Sequence, residues 1–201
     1  MEARDLLTRW WRPALVVVLV ALAIAFRMAR EDLGAPPNLE LVTAATFASA
    51  LLLRHPAAFV VPLVVTMASD IALGNTAVAA FTWSAWAVVG LGALWSRRFA
   101  DRHRTLTALG FGVGASLWFY LWTNAGVWWL GRGTYYPPGL DGLVDSYVAG
   151  LPFLRTMLLG NLVLVPAAAA LVTLVERLER LERLERGAGL APVRSGVVAA
   201  R

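Results

Sequence analysis

Long apolar runs separated by short polar breaks set the pattern of this chain. A hydrocarbon core about 30 Å thick takes roughly 20 helical residues, with about 17–25 as the working range. Six runs meet or approach that length, at about 13–29, 39–54, 56–73, 76–95, 105–130 and 152–175. The first follows a segment carrying Arg4, Arg9 and Arg12 and ends in Phe26-Arg27-Met28 rather than in small residues. That ending favours an uncleaved first helix over a signal peptide. The second is rich in Ala, Thr and Ser, as suits a helix buried among others. The third holds Pro62 and ends at Ser69-Asp70, and the fourth carries Trp83 and Trp86. Between the runs lie a rigid Pro36-Pro37 loop, turns at Arg54-His55-Pro56 and Gly74-Asn75, and the basic stretch 96–104. The pattern predicts an all-α integral membrane bundle of six transmembrane helices. Residues 1–12 are its N-terminal segment, 13–175 its transmembrane domain, and 176–201 an Arg/Glu-rich helical extension with a disordered end.

Composition agrees and adds an orientation. The chain is 59% hydrophobic and 15% charged, against about 45–50% and a quarter in soluble domains. All 18 basic residues are Arg. Fourteen of them fall before residue 13, at residue 54, within 96–104 or after 175, leaving Arg27, Arg30, Arg132 and Arg155 for the other side. Cytoplasmic loops concentrate basic residues, so six spans with both termini in the cytoplasm are self-consistent. The net charge of +5 then reports orientation, and no nucleic acid is expected as a partner.

The chemistry available is narrow. With no cysteine, disulfides, thiol nucleophiles and thiolate metal sites are excluded. His55 and His103 both sit in short basic connections, which argues against a histidine metal centre. There is no Ser/His/Asp set on one face, no HExxH, no pair of carboxylates inside a span and no Walker loop. An intramembrane enzyme is disfavoured, and no metal or cofactor is expected. Gly110-Phe111-Gly112-Val113-Gly114 lies within an apolar run with no strand before it, so it reads as close helix packing through Gly110 and Gly114 rather than as a phosphate loop.

Residues 116–163 hold most of the specific information. Polar groups in apolar spans are costly in lipid and usually face a bundle interior or a cavity. At 100° per residue, Trp118, Trp122 and Trp129 share one helix face, while Tyr120, Asn124 and Trp128 lie roughly opposite. The first stripe reads as lipid-facing or interfacial and the second as bundle-facing. Asn124 and Trp128 are then either ligand contacts or interhelical glue and belt. The loop after them, with Tyr135 and Tyr136 before Pro137-Pro138, reads as a lid or an interfacial anchor, and the last span opens at Pro152. Asp70 and Arg155 could pair across the bundle, or either could hold a charged ligand. Arg27 could do the same or snorkel to the interface. In the tail, Glu176, Glu179 and Glu182 each precede an Arg by four residues, a spacing that supports a solvated helix or a partner-docking one.

Several of these residues together resemble a known group. Pro36-Pro37-Asn38, Ser69-Asp70 with Leu73-Gly74, TNAGVW at 123–128, Tyr136-Pro137, Gly142-Leu143 and the Pro152-Phe153 to Leu158-Leu159-Gly160-Asn161 stretch resemble an uncharacterised family of six-helix prokaryotic membrane proteins. The resemblance covers about residues 25–170. That family is similar in turn to the substrate-binding S-components of energy-coupling factor (ECF) transporters. S-components capture vitamin-like molecules at the outer surface and associate with a transmembrane coupling subunit and two ATPases. The resemblance implies Asn38, Asp70, Asn124, Trp128, Tyr136 and Arg155 as substrate-pocket candidates. It implies Ala21 and Ala25, a small-residue stripe on the first helix, as docking candidates. The chain departs from the family in Leu39-Glu40, where an aromatic and a hydroxyl residue are usual, and in its Arg/Glu tail.

Overall fold

The computed structural model describes residues 3–74 and 78–189, with side chains described over 10–74 and 78–184. The expected turn residue Asn75 and the end of the tail from 190 on lie outside the described residues, as do the side chains of Arg4, Arg9 and Arg186. Among the described residues every named element is helical: α1 (Ala3–Ala29), α2 (Val42–Leu53), a 3₁₀ turn (Pro56–Val60), α3 (Val61–Leu73), α4 (Ala79–Gly131) and α5 (Leu140–Gly189). Four stretches, within α1, across the 3₁₀ turn and α3, and within α4 and α5, are long and apolar enough to cross a membrane. Large apolar side chains such as Val17, Leu22, Ile71, Leu91 and Val163 face outward, as they do where the solvent is lipid rather than water.

The count of five helices differs from the six expected because the fourth and fifth runs form one element. At His103, φ −134° and ψ 59° leave the helical region, inside the basic stretch where the apolar pattern lapses. The two halves of α4 then lie side by side. Trp118 Nε1 donates to the Ala85 carbonyl at 3.2 Å, Trp122 Nε1 donates to Ser84 Oγ at 2.8 Å, and the Trp86 and Phe119 rings meet at 4.9 Å. A Cβ on Gly126 would lie 2.3 Å from the Phe81 ring, so this glycine sets how closely the halves approach. Gly110 and Gly114 face open space; within that glycine run Gly112 is the packing position, 3.0 Å from the Asn161 carbonyl for a Cβ.

α2 is the centre of the molecule. Twelve residues rise about 18 Å, short of a membrane crossing, and Val42 through Leu52 are all buried. It touches all four other helices. The small Ala, Thr and Ser residues on it let those helices close in, and Thr46 returns its hydroxyl proton to the Val42 carbonyl at 2.7 Å. Phe47, stacked on Phe111 at 5.2 Å, and the wholly buried Val165 and Val172 of α5 fill the core around it. α2 ends at Arg54, a non-glycine residue in the left-handed region at φ 49°. α3 ends at Gly74, φ 70°, whose N–H bonds the Asp70 carbonyl.

α5 begins twelve residues before the expected start at Pro152. Leu140, Val144, Tyr147, Val148 and Leu151 recur at helical spacing, and Asp141 in the first turn suits the positive end of the helix dipole. Pro152 and Pro166 sit inside the helix. Beyond the apolar part, two of the tail acids reach other helices: Glu176 accepts from Arg104 Nη1 at 2.6 Å, and Glu179 accepts from Arg12 while also lying in the field of Arg183, four residues along its own helix. Burial works against the charge of Glu179, but the hydrogen bond and field of Arg12 outweigh it and hold the carboxyl below its usual range. The pair therefore stabilises fully at neutral pH, begins to fade below the ordinary glutamate value of about 4.3, and is lost as the folded value is passed. Thermal melts in detergent of wild type and Glu179→Gln should differ by on the order of 1 kcal/mol or less at pH 7, and the difference should shrink as the pH falls below about 4.3. A gap that did not shrink in acid would rule the pair out.

Candidate functional site

The polar residues separate into clusters instead of one pocket. Asp70, only 2 % exposed, accepts from Arg27 Nη2 at 2.6 Å on Oδ1 and from Trp83 Nε1 at 2.8 Å on Oδ2. Arg27 Nε also donates to Ser69 Oγ at 2.7 Å. The ion pair of Asp70 is with Arg27, not Arg155, and Arg27 is engaged rather than snorkelling. Two apolar helices, α1 and α3, are clamped by this group, and both carboxylate oxygens have protein donors.

A second cluster lies where α4 meets α5. Asn124 Nδ2 donates to the Tyr120 carbonyl at 2.8 Å, and the Asn124 carbonyl accepts from Ser146 Oγ at 2.9 Å. Its side chain occupies the space over Gly150, where an added Cβ would come within 2.4 Å of Oδ1. Tyr120 donates its hydroxyl proton to the Tyr147 carbonyl at 2.7 Å. Trp128 Nε1 donates to the Pro137 carbonyl at 3.0 Å, which pins the turn 132–139 to the end of α4. Tyr136, half-buried, packs on Gly131 and pairs by backbone with Arg132. The bundle-facing stripe thus faces α5 as expected, while Trp118 and Trp122, stacked at 5.4 Å, turn toward the other half of α4 as well as outward.

Asn38 stands apart from that cluster. It takes the left-handed conformation at φ 61°, which asparagine tolerates better than most residues, in the turn that Leu39 N–H closes on the Pro36 carbonyl at 3.1 Å. It lines a small cavity of ≈ 30 Å³ shared with Arg27, Arg30, Glu40, Trp86 and Phe119. Asn38 and the Arg27 partner of Asp70 therefore meet at one place. Arg155 is exposed on α5 and borders a different, open apolar groove with Pro36, Leu39 and Pro152. Ala21 and Ala25 are exposed on α1.

The buried polar centre was not among the expected site residues. Glu40 caps α2 by accepting from the Thr43 backbone N–H at 2.8 Å and from the Thr43 hydroxyl. Asn161 Nδ2 donates to Thr43 Oγ1 at 3.2 Å and to Ser116 Oγ at 3.1 Å. This chain of bonds ties α2, α4 and α5 together. The sequence signal was present, in an acid just before a helix start, where it meets free backbone N–H groups and the positive end of the dipole, and in an Asn in mid-span. Trp86, fully buried, has an indole N–H with no acceptor. Among the described residues no three His, Asp or Glu are grouped to hold a metal ion.

Helices of this length and apolarity around a buried polar centre define an integral membrane protein of the all-α class. A family model described as a family of unknown function, DUF6580, matches residues 7–184. The chain belongs to that family. No curated protein matches it, and no solved structure does.

Proposed function

We propose that this protein is the substrate-capturing, S-component-like membrane subunit of an ECF-type micronutrient importer, seated in the cell membrane. In this reading α4 crosses twice, and α2, below the length of a lone span, makes its passage enclosed by the other helices, which gives six passes with both termini in the cytoplasm, the side that collects most of the Arg residues. The protein hydrolyses nothing; a coupling subunit and ATPases supply the energy. Ala21 and Ala25, exposed on α1, are the surface on which the coupling subunit would close.

The observation that carries the reading is the cavity beside Asn38. It lies among Arg27, Arg30 and Glu40, and Trp86 in its wall has an indole N–H without an acceptor. A buried donor without a partner costs about 1–3 kcal/mol, and a ligand oxygen would meet that need. A volume of ≈ 30 Å³ suits a water or two, so a vitamin-like molecule enters only as the 30–41 loop lifts. The guanidinium groups and the aromatic floor of Trp86 and Phe119 favour a small planar molecule bearing an anionic or carbonyl group.

Native mass spectrometry of the gently extracted protein tests this. Wild type is expected to carry a small molecule that Trp86→Phe, which removes the indole N–H and its ring, and Asn38→Ala each hold at least tenfold less. Asn124→Ala and Arg155→Ala, outside the cavity, should keep it. A bare mass for wild type would leave the second reading ahead, a membrane scaffold. That reading is favoured by the way Asp70 and Asn124 spend their hydrogen bonds within the protein.

A further inference from the structure

At the other end of the bundle, where α2 and the first half of α4 finish together, lies a cleft of ≈ 480 Å³. Arg54, Arg97 and Arg98 line its polar side. Asp101 is the acid among them, and it already accepts from Arg54 Nη2 at 2.9 Å. Three cations against one committed carboxylate leave the cleft positive. Arg97 sharpens the point, because its Nη1 is buried and has no acceptor. The tendency of Arg to collect on the cytoplasmic side accounts for the number of these residues, but not for burying a guanidinium nitrogen without a partner. Burying such a donor is costly unless an acceptor meets it.

The remaining walls are apolar. Leu91 and Leu94 lie along the cleft, and Trp95, largely exposed, forms one edge. Trp95 also borders a second, almost wholly apolar groove of ≈ 600 Å³ that runs between the two halves of α4 past Phe99, Gly110 and Gly114. These are the two glycines that meet no neighbour, so the groove stays wide along their face. A positive pocket and a long apolar groove that share the indole of Trp95 as a wall are complementary to one kind of molecule, with a phosphate at one end and hydrocarbon at the other. Guanidinium groups recognise phosphate with paired, directional hydrogen bonds, and basic pockets between spans on the cytoplasmic side suit anionic headgroups.

We propose that this cleft holds an anionic phospholipid of the inner leaflet, its phosphate on Arg97 and Arg98 and an acyl chain along the groove beside Trp95. Arg54, held by Asp101, positions the rim. The proposal rests on the membrane reading with the Arg-rich end cytoplasmic, and is independent of substrate capture at the opposite end.

The test is native mass spectrometry of protein exchanged into mixed micelles with phosphatidylglycerol or phosphatidylcholine of identical chains. Wild type should retain phosphatidylglycerol about tenfold better than phosphatidylcholine, and the Arg97→Gln/Arg98→Gln double variant should lose roughly that factor. Arg132→Gln, far from the cleft in sequence and outside its lining, should behave as wild type. Arg98 is exposed, so the single Arg98→Gln variant should purify even where the double does not, with a smaller loss in the same direction. A thermal shift with inorganic phosphate or glycerol phosphate matching that of phosphatidylglycerol would mark a free-phosphate site and overturn the lipid assignment. Equal retention of both lipids, or no change in the variants, would overturn it too.

Discussion

Arg27→Met should be among the most damaging single substitutions in the transmembrane region, lowering stability by about 3 kcal/mol. Removing one partner of a buried ion pair typically costs about 3–5 kcal/mol because the other charge stays buried and uncompensated. Here Asp70 is 2 % exposed, while the Arg27 side chain is 26 % exposed, which places the expected value at the low end of that range. The asymmetry makes the prediction sharp. Asp70→Asn leaves Arg27 able to extend to the interface and keeps an oxygen for Trp83, so it should cost about half as much. The Arg27→Met/Asp70→Asn double variant should recover most of the loss of Arg27→Met, since neither charge is then stranded. Unfolding in mixed micelles, followed by tryptophan fluorescence, measures all three. If Arg27→Met proved as mild as a surface substitution, the clamp between α1 and α3 would not exist in the membrane.

Gly90→Ala is the second large effect. A Cβ there would fall 2.2 Å from the Phe59 carbonyl oxygen and 3.1 Å from its carbon. Those are backbone atoms of the 3₁₀ turn before α3, and they cannot rotate aside as a side chain could. The turn must move off α4, and Ala58 and Ala93, buried in the small cluster beside it, lose their packing. The expected cost is at the upper end of the roughly 1–3 kcal/mol seen for overpacking. Gly110→Ala is the control, because it meets nothing within 4 Å. It should be neutral or gain about 0.5–1 kcal/mol from helix propensity. Equal melting shifts for the two variants would contradict the packing described.

That contrast also shows where the sequence was legible. Apolar length and the scarcity of charge disclosed a helical membrane protein, since those features depend on the solvent and not on neighbours. Spacing alone could not choose among Gly90, Gly110, Gly112 and Gly114, because which glycine meets another backbone depends on how helices distant in sequence are rotated. The same limit separated Asp70 from its partner: Arg27 and Arg155 are equally basic in sequence, and only the placement of α1 against α3 decides between them. Pro152 misled in a different way. Proline ordinarily marks a helix start, yet α5 runs through it, and the periodicity of Leu140, Val144 and Tyr147 was the better guide. The polar network on Asn161 was half legible, as an unexplained polar residue in mid-span whose partners come from two other helices.

α5 runs from the turn beside Tyr136 to the Arg/Glu tail as one rod of 50 residues, about 75 Å long. Its first turns meet Asn124 and Tyr120, its middle is held by Thr43 and Ser116, and its far end is tied to Arg104 and Arg12. A rod gripped at three heights behaves as a lever. Pro152 and Pro166 each lack an amide proton and leave one rung of the helical ladder open. A tilt imposed at either end therefore either bends the rod at those two points or travels its whole length, and the span between them, which holds Asn161, is the natural fulcrum.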